Sequence, residues 1–321
     1  MLSNKVIVVF PGQGSQVVGM GHDIYKNHHV ARQVFDEIDD TLNFKLSKII
    51  FEGPEHLLTF TPNTQPALMA VSLALVRVVE YEIKKKIFDF AEVILGHSLG
   101  EYSALCSLNA ISLSDAATLL RLRGEAMQNS VEGIQTKMVA VIGLDLEQIE
   151  NVIKNVNFSN DDICEIANDN CPGQVILSGT KNGVEMISEL LKKNGARTVI
   201  DLKVSAPFHC KLMKNASLII EEQLNVTKFN KLESKFISNV TADFETDTSI
   251  IKNLLIKQVC SRVKWRESIE KSIENIRSIV EIGSGKILTG MNRRIDKSLN
   301  LDNISNHKDL ESYLNKNKEI L

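Results

Sequence analysis

The chain has little cysteine, no long apolar run and almost no excess of charge. Its five cysteines (Cys106, Cys164, Cys171, Cys210 and Cys260) are an odd number spread over 321 residues. No two form a Cys-x-x-Cys pair, so neither a disulfide framework nor a zinc site is indicated. No apolar stretch approaches the ~18 residues of a membrane span. Met-Leu-Ser-Asn-Lys is followed by only five apolar residues, Val6–Phe10, before Pro11-Gly12. That is too few for the core of a signal peptide, and the chain reads as a cytoplasmic protein. With 37 basic and 40 acidic side chains the formal net charge is −3, which offers no basic field to nucleic acid or anionic lipid. Internal repeats and low-complexity tracts are also lacking.

What is present is an ordinary globular composition, 43% hydrophobic and 24% charged, in a length that suits about two domains. The β-branched run Val6–Phe10, closed by Pro-Gly, predicts a buried strand. Helical patterns follow over residues 28–42 and from Pro66 to about Lys86. A short strand is expected at 93–95, a helix from Ser98 through Leu108, and another helix capped by Ser114-Asp115. This alternation is the α/β signature. Near Gly133 the pattern changes: strand 137–142, Asp-capped helix 145–156, a hairpin of 163–168 and 174–178 across Cys171-Pro172-Gly173, helix 182–194 and strand 197–202. The order β-α-β-β-α-β is that of a ferredoxin-like unit. We therefore expect an inserted small domain over 133–203 and a large domain built from 1–132 and 204–321. The large domain resumes with strands at 236–239 and 279–282 and ends in a polar tail, helical at most.

The most informative string is Gly96-His97-Ser98-Leu99-Gly100. It fits G-x-S-x-G at a strand-to-helix switch, the context in which small residues let the backbone turn sharply and present a nucleophilic hydroxyl. The following helix start also directs free N–H groups towards the reacting oxygen. A serine needs a base to take its proton. Among the seven histidines, His28 and His29 lie on a polar segment, His307 in the tail, and His97 beside the serine. His209, on the proline-shaped turn 204–210, is the best base by elimination, although a lone loop histidine is also an ordinary surface residue.

Phe10-Pro11-Gly12-Gln13-Gly14-Ser15-Gln16 follows the first strand. A dinucleotide fingerprint would need glycine at 17, where Val17 stands. The better reading is an oxyanion-hole loop, supplying a backbone N–H beside that of Leu99. Gly283-Ser284-Gly285-Lys286 lacks the outer residues of a phosphate loop, with Val280 and Ile287 in their places.

FPGQGSQ (10–16), TQPAL (64–68), GHSLGEYSAL (96–105), RGEAMQ (123–128), NDNCPGQVILSG (168–179) and EIGSGKILTG (281–290) occur in this order. Together they closely resemble the malonyl-CoA:acyl carrier protein transacylases of bacterial type II fatty acid synthesis, over essentially the whole chain. The resemblance implies an α/β-hydrolase-like large domain with a ferredoxin-like insert and a site in the cleft between them. It implies Ser98 as the acylated nucleophile, His209 as general base, and the backbone N–H groups of Gln13 and Leu99 as the oxyanion hole. It further implies Arg123 as the binder of the malonyl carboxylate, with Gln65 lining the same pocket. It implies, too, that the main-chain carbonyl of Gln258 orients the histidine in place of an Asp. Malonyl-CoA and acyl carrier protein are the implied partners, no metal or redox cofactor is implied, and the family default is a monomer.

This sequence departs from the family pattern at Phe208, where several relatives carry serine; an aromatic there suits malonyl selectivity. Segment 260–265 lacks the Asn-Pro of many relatives, and Ser284 replaces a frequent proline. A polyketide acyltransferase, a serine esterase or thioesterase, and a non-catalytic carrier-binding module are the competing readings. For docking an acidic carrier, Lys84-Lys85-Lys86 and Arg293-Arg294 are basic candidates, the former equally read as solvated lysines at a helix end.

Overall fold

A computed structural model describes residues 5–159 and 161–317; the first four residues, read above against a leader, lie outside it. In chain order the strands are β1 Val6–Phe10, β2 Ala91–Gly96, β3 Thr136–Ile142, β4 Cys164–Cys171 and β5 Gln174–Thr180. They continue with β6 Thr198–Asp201, β7 Lys235–Ile237, β8 Phe244–Glu245, β9 Ser278–Ile282 and β10 Asn300–Ile304. One sheet has the order β10-β9-β1-β2-β7-β8 and the other β4-β5-β3-β6. The first is parallel except for β8, which pairs antiparallel with β7. The second is wholly antiparallel.

All five residues of β1 are buried because helices cover both faces of the parallel sheet. Its period of two divides the core. Val6, Val8 and Phe10 pack with the helices His29–Leu42, Thr61–Ile83 and Leu113–Asn129. Ile7 and Val9 pack with Leu95, Trp265, Ile269 and Leu288 on the other face. The antiparallel sheet has its own core around Val139, Val141, Leu177 and Ile187. β4 is joined to the segment ahead of the helix Trp265–Ser272: Val263 N–H donates to Ala167 O at 2.8 Å and Asp169 N–H to Val263 O at 3.0 Å. Beside that bridge Arg266 Nη2 lies 2.8 Å from Asp169 Oδ2.

Four expectations are corrected. The central helix begins at Thr61, with Pro66 inside it. Pro62 occupies the first turn, where proline is tolerated, so the helix starts ahead of the second proline. The helix after the G-x-S-x-G string begins at Gly100, leaving Ser98 on the turn itself. The next helix is capped by Ser112, whose hydroxyl accepts from Asp115 N–H at 3.0 Å, rather than by Ser114-Asp115. The polar tail contains the edge strand β10, paired with β9 from Asn300 to Ile304. Its polar residues Asn300, Asp302 and Asn303 suit an edge strand. Among the described residues no helix is long and apolar enough to cross a membrane.

Candidate active site

The turn after β2 is forced by close approach. A Cβ on Gly96 would lie 1.9 Å from Gly100 C, and one on Gly100 would lie 2.5 Å from Phe10 O. Both positions therefore exclude any side chain. Ser98 stands between them at φ 54°, in the left-handed region. Its N–H donates to Asn239 Oδ1 at 2.7 Å, and Asn239 Nδ2 donates to Gly96 O at 2.8 Å. One side chain, at the end of β7, thus splints both sides of the elbow.

His209, also in the left-handed region at φ 61°, comes from the loop after β6. Its Nε2 lies 2.8 Å from Ser98 Oγ and its Nδ1 lies 2.8 Å from Gln258 O. A main-chain carbonyl only accepts, so Nδ1 carries the hydrogen and Nε2 is left as acceptor for the serine O–H. Burial, then the positive charge of Arg123, push the imidazole down to about 3. The ring is therefore neutral at physiological pH, with Nε2 free to accept a hydrogen.

Arg123 is 2% exposed. Nη1 donates to Gln65 Oε1 at 2.7 Å; Nη2 donates to Gln258 Oε1 at 2.9 Å and to Ser98 Oγ at 3.2 Å. Nε has no hydrogen-bond partner among the described residues. Burial lowers the guanidinium's pKa, but from a starting value so high that it stays charged. Its neighbour Arg121 faces outward and binds Glu125 at 2.6 Å.

Ser98, His209, Arg123, Gln65, Gln13, Leu99 and Phe208 line one cavity of about 190 Å³. Met138, Asn168, Asn170, Gln174 and Ile176 close it from the antiparallel sheet. Seven of the eight site residues singled out from the sequence thus share this cavity, and the eighth, Gln258, is tied to three of them. Among the described residues no group of three or more His, Cys, Asp or Glu side chains is placed to hold a metal ion.

Of the basic docking candidates, the lysine run lies apart from the cavity, whereas Arg294 bonds a residue of its wall. Lys86 Nζ binds Glu80 Oε2 at 3.1 Å in a separate surface hollow. Arg294 donates to Pro172 O at 2.7 Å and Gln174 Oε1 at 3.1 Å. Those bonds tie the helix Ile287–Ile295 to the β4–β5 hairpin.

Sequence reasoning passed over Asn239, Asn170 and Glu101. Asn170 Oδ1 lies 2.9 Å from His97 Nε2, and burial lowers the His97 pKa. Glu101 is 0% exposed. Its carboxylate accepts from the Asn239 main-chain N–H and from Gln258 Nε2. Burial raises its pKa to about 8 against the pull of those donors and of Arg123. The available signal was the acidic residue at the fifth position after Gly96, in the first turn of a helix.

Residues 7–303 match the model of the acyl transferase domain family. The malonyl CoA-acyl carrier protein transacylase of Bacillus subtilis strain 168 is 41% identical over 317 residues, covering 98% of each chain. An acyl-carrier-protein-S-malonyltransferase from Bartonella henselae superposes with a TM-score of 0.93 at 43% identity, covering 97% of this chain and 99% of that one. A malonyl-transacylase solved in complex with a type II PKS acyl-carrier protein gives 0.92 at 36%, covering 98% and 100%. A serine elbow, its imidazole and a buried guanidinium in one cavity, on a chain matched end to end at this identity, identify the lineage: the chain belongs to the malonyl CoA-acyl carrier protein transacylases.

Proposed function

We propose that this protein transfers a malonyl group from malonyl-CoA to the phosphopantetheine thiol of acyl carrier protein, through a malonyl ester on Ser98. The observation that carries the reading is the buried Arg123, whose Nη2 donates to the same Ser98 Oγ that lies 2.8 Å from His209 Nε2. A hydrolase needs the imidazole but not the guanidinium. A ligand with a free carboxylate three carbons from its reacting carbonyl oxygen needs both.

In the first half-reaction Ser98 O–H gives its proton to His209 Nε2 as the oxygen attacks the thioester carbonyl. The main-chain N–H groups of Gln13 and Leu99 receive the developing oxyanion. The C–S bond breaks, and His209 returns the proton to the departing CoA sulfur. In the second half the carrier's thiol passes its proton to His209, attacks malonyl-Ser98 and leaves with the acyl group as Ser98 recovers its hydrogen. Arg123 grips the malonyl carboxylate through charge-assisted bonds of fixed geometry that lysine cannot reproduce. Gln65 holds that fork from behind. The main-chain carbonyl at Gln258 orients His209 without adding a negative charge that would repel the anionic acyl group. Phe208, buried at the cavity wall, limits room for substituents beside the carboxylate.

We read the architecture as an α/β-hydrolase-like domain of 1–132 and 204–321 carrying a ferredoxin-like insert of 133–203, supported by the sheet order β4-β5-β3-β6 and the separate core beneath it. The test is the intact mass of the enzyme after incubation with malonyl-CoA. A malonyl adduct on the wild type that disappears in Ser98→Ala is expected. An unlabelled wild type, or an equally labelled variant, ends the proposal.

A further inference from the structure

Glu101 takes no part in the steps above, yet it is the most deeply placed carboxylate near them. It sits three residues after the nucleophile, wholly buried. One oxygen accepts from the main-chain N–H of Asn239, the residue that splints the elbow; the other accepts from the side-chain amide of Gln258. The same Gln258 Nε2 donates to Ser98 O at 2.9 Å, while Gln258 Oε1 accepts from Arg123 Nη2 at 2.9 Å. The amide therefore has a forced orientation: nitrogen towards Glu101 and Ser98 O, oxygen towards the guanidinium.

We propose that Glu101 is a positioning residue for carboxylate recognition, holding the Gln258 amide with its oxygen on Arg123. It acts across the Gln258 amide, so it fixes which end of that amide meets the guanidinium without itself occupying the guanidinium. An acidic side chain placed directly on Arg123 would compete with the ligand's own carboxylate. The relay keeps Gln258 Oε1 on Nη2, beside the bond that Nη2 makes to Ser98 Oγ. This inference rests on Ser98 being the acylated residue and Arg123 the malonyl binder.

The chemistry of Glu101→Gln makes the claim testable. The Asn239 N–H is main chain and cannot turn away, so the new amide must present its oxygen there and its NH₂ to Gln258. Two amide nitrogens then face one another, and relief comes only when Gln258 flips. The flip puts NH₂ against Arg123 Nη2 and strips the guanidinium of an acceptor. We expect E101Q to raise KM for malonyl-CoA about tenfold, the scale of one lost charge-assisted bond. Loading from acetyl-CoA falls less, because it shares only the lost Gln258 Nε2–Ser98 O bond and has no carboxylate to present. In a Gln258→Ala background, where no amide remains to be oriented, E101Q produces no further change in the malonyl-to-acetyl ratio.

Equal losses with both acyl donors, no change with either, or full additivity with Q258A overturn the inference. If E101Q does not fold, Glu101→Asp keeps the carboxyl group but withdraws it from Gln258. It must show the same selective loss of malonyl loading, and a uniform loss overturns the inference equally. Failure of the underlying reading is separate: it appears as a wild-type enzyme that malonyl-CoA does not label.

Discussion

Arg123 Nη2 stands 3.2 Å from Ser98 Oγ, so the proposed carboxylate fork and the nucleophile share one hydrogen bond while no acyl group intervenes. Of the partners that hold the guanidinium, Gln65, Gln258 and Ser98, only the serine hydroxyl changes during the proposed reaction.

Arg123→Ala is expected to lower kcat/KM for malonyl-CoA about a hundredfold to a thousandfold, the equivalent of roughly 3–4 kcal/mol for two charge-assisted bonds. Acetyl-CoA should be affected far less, and Arg123→Lys should recover only a small part of the loss. Initial rates with both thioesters decide it, and unchanged selectivity would remove Arg123 from the substrate site.

The pH dependence follows from His209, whose pKa burial and Arg123 depress to about 3. The base is then neutral across the acid range, so kcat/KM should show no fall centred near the ordinary histidine value of about 6.5. Stability has the matching sign. Below about 6.5 the unfolded chain takes up a proton that the native imidazole refuses until the pH nears its own depressed value. This residue therefore makes unfolding easier as the pH falls through that window. Comparing the denaturant midpoints of wild type and His209→Asn at pH 7 and pH 5 measures it: the wild type should lose more. Equal losses would place the histidine's pKa in the ordinary range.

Asn239→Ala removes the acceptor of Ser98 N–H and the donor to Gly96 O together. Two buried main-chain groups left without partners cost on the order of 2–4 kcal/mol in unfolding free energy. The elbow should also lose its geometry, with kcat falling more than KM rises. A variant as stable and active as wild type would dismiss the splint.

Gly96→Ala should not give active enzyme, because its Cβ would meet the Gly100 carbonyl carbon at 1.9 Å. By contrast Gly290→Ala, where a Cβ meets nothing within 4 Å, should be tolerated and gain up to about 1 kcal/mol from helix propensity. Purified yield and thermal melting of the two variants provide the check.

Much of the chain was legible because its signals are local. Five consecutive apolar residues made β1, two glycines around a serine made the elbow, and Asp145 capped its helix in the expected place. Ser98 could be named from its elbow string and His209 by elimination among the histidines, while the role of Arg123 rested on the family likeness. What could not be read from local pattern was anything depending on distant residues. β10 is polar and becomes a strand only because β9 offers it an edge. The helix at Thr61 reaches back past Pro66 because its first turn is anchored elsewhere, Thr61 Oγ1 meeting Ser205 Oγ at 2.8 Å.

The amino-acid sequence by itself determined which chemical groups exist and which short segments turn, extend or coil, since those preferences are settled within a few residues of backbone. The tertiary structure alone decided that Asn239 would brace a turn 141 positions away and that Gln258 would hand Glu101, Arg123 and His209 to one another. Hydrogen-bond geometry is fixed by position in space, and a buried donor takes whichever acceptor the packing brings within reach.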